Sequence, residues 1–209
     1  MHVPNPAGTA EAAADARIPE IAARLRAAGC VFAEEEAELI IAAAPSPAGL
    51  DAMIARRAEG EPLEHVVGFA EFHGLRITVE QGVFVPRRRT EALIREAAAL
   101  ARPGGVAVDL CCGSGALGAA LAASVPGLEL HAADIDPAAV RCARRNVPAE
   151  RVHEGDLFDA LPGSLRGRVE VLLANVPYVP SGEIGLLPSE AREHEARVAL
   201  DGGEDGLAV

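Results

Sequence analysis

The sequence has no lysine and no tryptophan, and holds a single tyrosine and four cysteines in 209 residues. Without lysine, nucleotide-binding loops that end in Gly-Lys, Schiff-base catalysis and pyridoxal chemistry are excluded. All 19 basic residues are arginine, and the abundance of Ala, Arg, Gly and Pro fits a GC-rich coding bias with no functional cause. No apolar run approaches the roughly 18 residues that span a bilayer; a long one, Ala116 to Val125, falls well short. Residues Met1 to Ala10 show no basic patch followed by an apolar stretch, so no secretory signal is read and a cytoplasmic location is expected. Cys30, Cys111, Cys112 and Cys142 show no C-x-x-C spacing, and reduced thiols are expected. The six histidines show no ligand spacing, so no metal is expected.

Charge narrows the partners. A net charge of −12 gives a nucleic acid a repulsive average field, which disfavours it as a partner.

The rest of the chain reads in three parts. Residues 1–60 carry apolar residues at helical spacing, interrupted by Gly29 and by Pro45-Ser46-Pro47, and predict three short helices. The run Glu34-Glu35-Glu36 reads as a solvated cap at the positive end of the second helix. Residues 61–86 form a linker, with β-like runs at Val66 to Phe72 and Leu75 to Val79 joined by His73-Gly74. Residues 87–209 start with Thr90 at an N-cap position before a helix at Glu91 to Ala101. Strands and helices then alternate as in a parallel α/β domain: strands at Val106 to Cys111, Leu128 to Asp134, Arg151 to His153 and Val169 to Ala174, helices at Ala116 to Ser124 and Pro137 to Asn146.

Two motifs stand at strand ends. The first, Asp109-Leu110-Cys111-Cys112-Gly113-Ser114-Gly115, follows the first parallel strand, where glycines let the backbone approach a ligand closely. Asp134 closes the second strand 21 residues after Gly113, where a carboxylate accepts hydrogen bonds from ribose hydroxyls. Asp109, four residues before Gly113, suits the cationic amino group of S-adenosylmethionine better than a pyrophosphate. The second motif, Asn175-Val176-Pro177-Tyr178, follows the fourth strand. An Asn oxygen and a neighbouring backbone carbonyl together accept both hydrogens of a planar NH2 group, which fixes its nitrogen for attack on a methyl sulfonium, while Tyr178 stacks on the group.

On these residues, together with Gly60-Glu-Pro-Leu-Glu-His-Val-Val-Gly68, Glu71-Phe-His-Gly-Leu75, Val85-Pro-Arg87 with Thr90-Glu91, Gly155-Asp156-Leu-Phe-Asp159 and Leu200-Asp-Gly-Gly-Glu-Asp-Gly-Leu207, the chain resembles the HemK/PrmC family of protein-(glutamine-N5) methyltransferases. That family modifies the glutamine of the Gly-Gly-Gln motif in peptide release factors. The resemblance implies an α/β fold, a Rossmann-like class I methyltransferase sheet with a helical N-terminal domain that helps bind a release factor. It implies S-adenosylmethionine as cofactor, with Asp134 on the ribose, Asp156 and Leu157 by the adenine, and the Cys111, Cys112, Gly113, Ser114 and Gly115 loop around the methionine portion. Asn175 would orient the substrate amide, and Pro177 and Tyr178 would shape its pocket.

Three departures carry expectations of their own. Val176 stands where the family has its first Pro, keeping the carbonyl and losing a φ restraint. Arg87-Arg88-Arg89 makes basic a turn that is mixed in charge in the family, and is read equally as receiving an acidic partner surface or as balanced by the acidic body of the protein. The family continues with further strands, so the fourth strand is expected to be an open edge, covered by another copy or by missing chain. Two other readings stay open: an adenine-N6 methyltransferase, because an exocyclic NH2 poses the same problem as an amide, and a non-catalytic cofactor-binding remnant.

Overall fold

The computed structural model describes residues 6–209, with side-chain surroundings from residue 16 onward. Part of the segment read for a secretory signal lies outside the described residues. The described residues up to Val67 form one compact unit and Gly68–Val209 a second.

The first unit is helical: α1 (Pro6–Ala27), α2 (Ala33–Ala43), α3 (Pro47–Ala58) and α4 (Leu63–Val67). Ile21, Leu25, Ala37, Ile40, Leu50 and Ile54 recur at helical spacing and meet in one buried cluster. Ser46 caps α3, its Oγ accepting from the Gly49 N–H at 3.1 Å with Pro47 in the first turn. Two expectations are corrected here. Glu36 is buried, not solvated, because Arg57 reaches it with Nε at 2.6 Å and Nη2 at 3.2 Å. Val66 belongs to a helix, not a strand, because Leu63 and Val66 both turn into the helical core.

The second unit opens with an antiparallel hairpin, β1 (Phe69–Phe72) and β2 (Leu75–Thr78), turned by His73 and Gly74. After α5 (Glu91–Leu100) come β3 (Val106–Leu110), α6 (Ala116–Ser124), β4 (Glu129–Asp134), α7 (Pro137–Ala143), β5 (Val152–Glu154), β6 (Val169–Ala174) and α8 (Ser189–His194). Thr90 does not cap α5: its backbone is already helical in a 3₁₀ turn over Arg88–Thr90, and its side chain makes no cap bond. The four long-range strands are parallel in the order β5-β4-β3-β6. This is the Rossmann-like arrangement of a class I methyltransferase.

Alternation along β3 divides the core. Ala107 joins a large cluster with Ile94, Leu121, Leu130, Val140 and Leu173, packed under α5, α6, α7 and the hairpin. Val108 and Leu110 face the other way, against Ala133 and Leu157. Strand β6 ends the sheet, with Leu172 47% exposed. No described helix is long and apolar enough to cross a membrane.

Candidate functional site

Two adjoining cavities open at the carboxyl ends of the parallel strands, where open α/β sheets hold ligands. The first holds about 1150 Å³ free of protein atoms, its mouth included. Its floor is the turn between β3 and α6. There the Cys112 N–H donates to the Ala133 carbonyl at 3.1 Å, continuing the strand pairing, and the Gly113 N–H donates to Asp134 Oδ2 at 2.8 Å. The Asp136 N–H donates to Asp134 Oδ1 at 2.9 Å. Each Asp134 oxygen thus takes one backbone donor and keeps a further lone pair for a ligand hydroxyl. Burial, ahead of these hydrogen bonds, raises the Asp134 pKa.

Two non-glycine residues on this wall adopt left-handed backbone, Cys111 at φ 52° and Leu157 at φ 41°. Such conformations concentrate at ligand-binding turns, where surrounding contacts impose them. Cys111, Cys112, Gly113, Ser114, Asp134, Asp156, Leu157, Asn175 and Pro177 all line this first cavity. Burial, with Asp134, Asp109 and Asp156 nearby, pushes the Cys111 thiol up to about 11.

Asp109 does not reach the cavity wall. It is fully buried beneath the turn, where Oδ2 accepts the Gly118 N–H at 2.8 Å and anchors the first turn of α6. A Cβ at position 118 would stand 3.1 Å from that oxygen and 3.0 Å from Leu130 Cδ2, so a larger residue would have to displace these side chains. Asp109 Oδ1 has no hydrogen-bond partner among the described residues, and burial pushes the pKa up to about 7, against the Gly118 bond. Gly115, the left-handed residue before α6, packs on Ala143 and is likewise absent from the lining.

The second cavity is lined by Val176 and Tyr178, with Arg89, Leu187 and Glu190. Arg89 donates to the Tyr178 hydroxyl. Phe84, Arg87, Asn175 and Ala199 line both cavities and form the wall between them. Asn175 is half-buried at that wall.

Three supports escape sequence reasoning. Asn146 follows α7, and its Nδ2 donates at 2.8 Å to both the Ser114 and Thr78 carbonyls while its Oδ1 accepts the Thr78 N–H at 2.8 Å. It ties the hairpin to the turn between β3 and α6. Glu195 is bonded to Arg87, so the first arginine of the run Arg87-Arg88-Arg89 is balanced by an acid of the chain itself, while Arg88 and Arg89 are exposed. Asp201, on the first cavity, is held by Ser181, Arg197 and the Gly203 N–H, and these bonds lower its pKa. Only the Leu200–Leu207 motif signalled that segment. Among the described residues no three His, Cys, Asp or Glu side chains gather as a metal site.

Residues 74–196 match the methyltransferase small domain family. The chain is 42% identical over 161 residues to a release factor glutamine methyltransferase of Streptomyces coelicolor, covering 74% of this chain and 57% of that protein. It is 39% identical over 206 residues to the release factor glutamine methyltransferase of Mycolicibacterium smegmatis, covering 95% of this chain and 72% of that one. A 4-amino-L-phenylalanine/4-methylamino-L-phenylalanine methyltransferase of Streptomyces pristinaespiralis is 38% identical over 211 residues, covering 96% and 69%. The chain thus spans a little over half the length of the Streptomyces coelicolor relative. The chain belongs to the methyltransferase small domain family, in its HemK/PrmC group.

Proposed function

We propose that the protein transfers a methyl group from S-adenosylmethionine to the side-chain amide nitrogen of a glutamine, in the Gly-Gly-Gln motif of a peptide chain release factor. The observation that carries this reading is the position of Asn175, a half-buried amide on the wall shared by two cavities.

The residues of the first cavity fit the cofactor. Asp134 has lone pairs left for the ribose hydroxyls, Asp156 and Leu157 would flank the adenine, and the turn from Cys111 to Gly115 would flank the methionine portion, with Asp109 holding that turn from beneath. When bound, the cofactor supplies an electrophilic methyl on a sulfonium. The chain's own part is placement. Asn175 Oδ1 and the Val176 carbonyl accept the two hydrogens of the substrate NH2, which turns the nitrogen toward the first cavity. Pro177 and Tyr178 confine the planar amide. No side chain need change protonation to start the reaction. The helical unit, which exposes Val31 and Phe32, is assigned the docking of the protein acceptor.

Replacing Asn175 by Ala tests the reading. Transfer should fall by about a hundredfold or more, as orientation is lost, while cofactor affinity stays within about threefold. Undiminished transfer would contradict it. A second reading, an arylamine-bearing amino acid as acceptor, is favoured by the extent of similarity to the Streptomyces pristinaespiralis enzyme and by Arg89 in the second cavity, a partner for a substrate carboxylate.

A further inference from the structure

Glu195 lines neither cavity, yet the wall between them hangs on its carboxylate. Its side chain is 0% exposed. Oε1 accepts the Val85 N–H at 3.1 Å and Arg87 Nη2 at 2.6 Å. The backbone repeats the tie, with the Ala196 N–H donating to the Gly82 carbonyl at 2.9 Å. Two segments more than a hundred residues apart in sequence are thereby joined at the cavity roof.

What Glu195 holds is functional rather than merely local. The Arg87 guanidinium lies 4.9 Å over the Phe84 ring, and both residues belong to the four that line both cavities. A guanidinium on a flexible stem occupies one position only when a strong partner fixes it, and a buried carboxylate at 2.6 Å is such a partner. Phe84, beneath it, is then fixed as well.

We propose that Glu195 is a positioning residue for methyl transfer: by fixing Arg87, and through it Phe84, it sets the opening through which acceptor nitrogen and donor methyl meet. The inference rests on the function proposed above. It differs from a plain stabilising role, because the wall it sets matters for alignment of the two substrates more than for binding of either.

The test compares wild type, Glu195→Gln and Glu195→Asp in melting temperature, S-adenosylhomocysteine affinity and steady-state transfer to release factor. Gln keeps an acceptor for Val85 and loses the charge facing Arg87. We expect Glu195→Gln to lower kcat by about tenfold, with S-adenosylhomocysteine affinity within about threefold and the acceptor KM changed less than kcat. Glu195→Asp should recover part of kcat. In the double variant Glu195→Gln/Arg87→Gln, kcat should fall no further than in the weaker single variant, because the two act as one unit. An unchanged kcat in Glu195→Gln, losses that track melting temperature across the variants, or additive losses in the double variant would each overturn the inference. Absence of transfer by wild type would overturn the function itself and this inference with it, a result distinct from a defect confined to the variants.

Discussion

Gly202 lies directly against the carbonyl of Pro177: a Cβ at position 202 would stand 2.8 Å from that oxygen and 2.9 Å from the Gly206 Cα. The Gly202 N–H also donates to the Val179 carbonyl at 2.9 Å, and the Val179 N–H donates to the Leu200 carbonyl at 3.0 Å. The glycine-rich segment after α8 is therefore the backing of the loop that presents Asn175 to Tyr178.

That backing predicts a substitution effect. Gly202→Ala must displace backbone rather than a flexible side-chain tip, so it should cost about 1–3 kcal/mol of stability and lower methyl transfer more than cofactor affinity. Gly185→Ala, where a Cβ meets nothing within 4 Å, is the control and should be near neutral. Urea denaturation and paired activity assays check both. Equal effects at the two positions would refute the packing argument.

Asp109 predicts a pH dependence. Its pKa is raised to about 7, chiefly by burial, so the folded chain holds this proton more tightly than the unfolded chain, whose value is near 3.8. Stability from this group is greatest below the unfolded value, falls as pH rises through the interval, and levels off above about 7. The raised Asp134 works in the same direction. Asp109→Asn keeps an oxygen for the Gly118 N–H and removes the titration, so its denaturation midpoint should fall less steeply across the interval and exceed wild type at pH above about 7. Parallel curves for the two proteins would refute the assignment.

Asn146 predicts a loss of cofactor affinity at a distance. Its amide is the tie between the Ser114 carbonyl and the hairpin, and Asn146→Ala removes the acceptor of the half-buried Thr78 N–H and one of the two donors to the Thr78 carbonyl, which keeps the Cys142 thiol at 3.3 Å. Loss of these bonds, worth about 1–3 kcal/mol, should weaken S-adenosylhomocysteine binding by roughly tenfold in calorimetry. Unaltered affinity would show that the turn keeps its shape without the tie.

Cys111 lines the first cavity, yet its thiol is pushed up to about 11 and is therefore a poor nucleophile at neutral pH. Iodoacetamide labelling should be slow near pH 7.5, accelerate toward pH 10, and be blocked by S-adenosylhomocysteine, as mass spectrometry of the tryptic peptide would record. Rapid labelling at neutral pH would contradict the half-buried, acid-surrounded position.

Much of the second unit was legible because local signals and tertiary need agree there. The runs at Val106, Glu129 and Val169 are short, apolar and punctuated by Gly, Pro or Asp, and each is a parallel strand. That the turn from Cys111 to Gly115 and the Asn175 loop stand at strand ends was legible because the alternation of strand and helix places them there. Glu36 was misread because its partner, Arg57, lies 21 residues away and no local pattern announces the pair. For Arg87 the sequence left an outside partner and the chain's own acids equally open, because its partner Glu195 lies 108 residues on. Asp109 was placed beside the cofactor because sequence spacing gives the strand position, while the depth of the side chain depends on the bare Gly118 above it.

The most direct test is transfer of labelled methyl from S-adenosylmethionine to a purified release factor, beside a copy whose Gly-Gly-Gln glutamine is Ala, with 4-amino-L-phenylalanine and bulk RNA as further acceptors. The account predicts label in the release factor and none in the Ala copy. Label in both release factors alike, in RNA alone or in 4-amino-L-phenylalanine alone would contradict it.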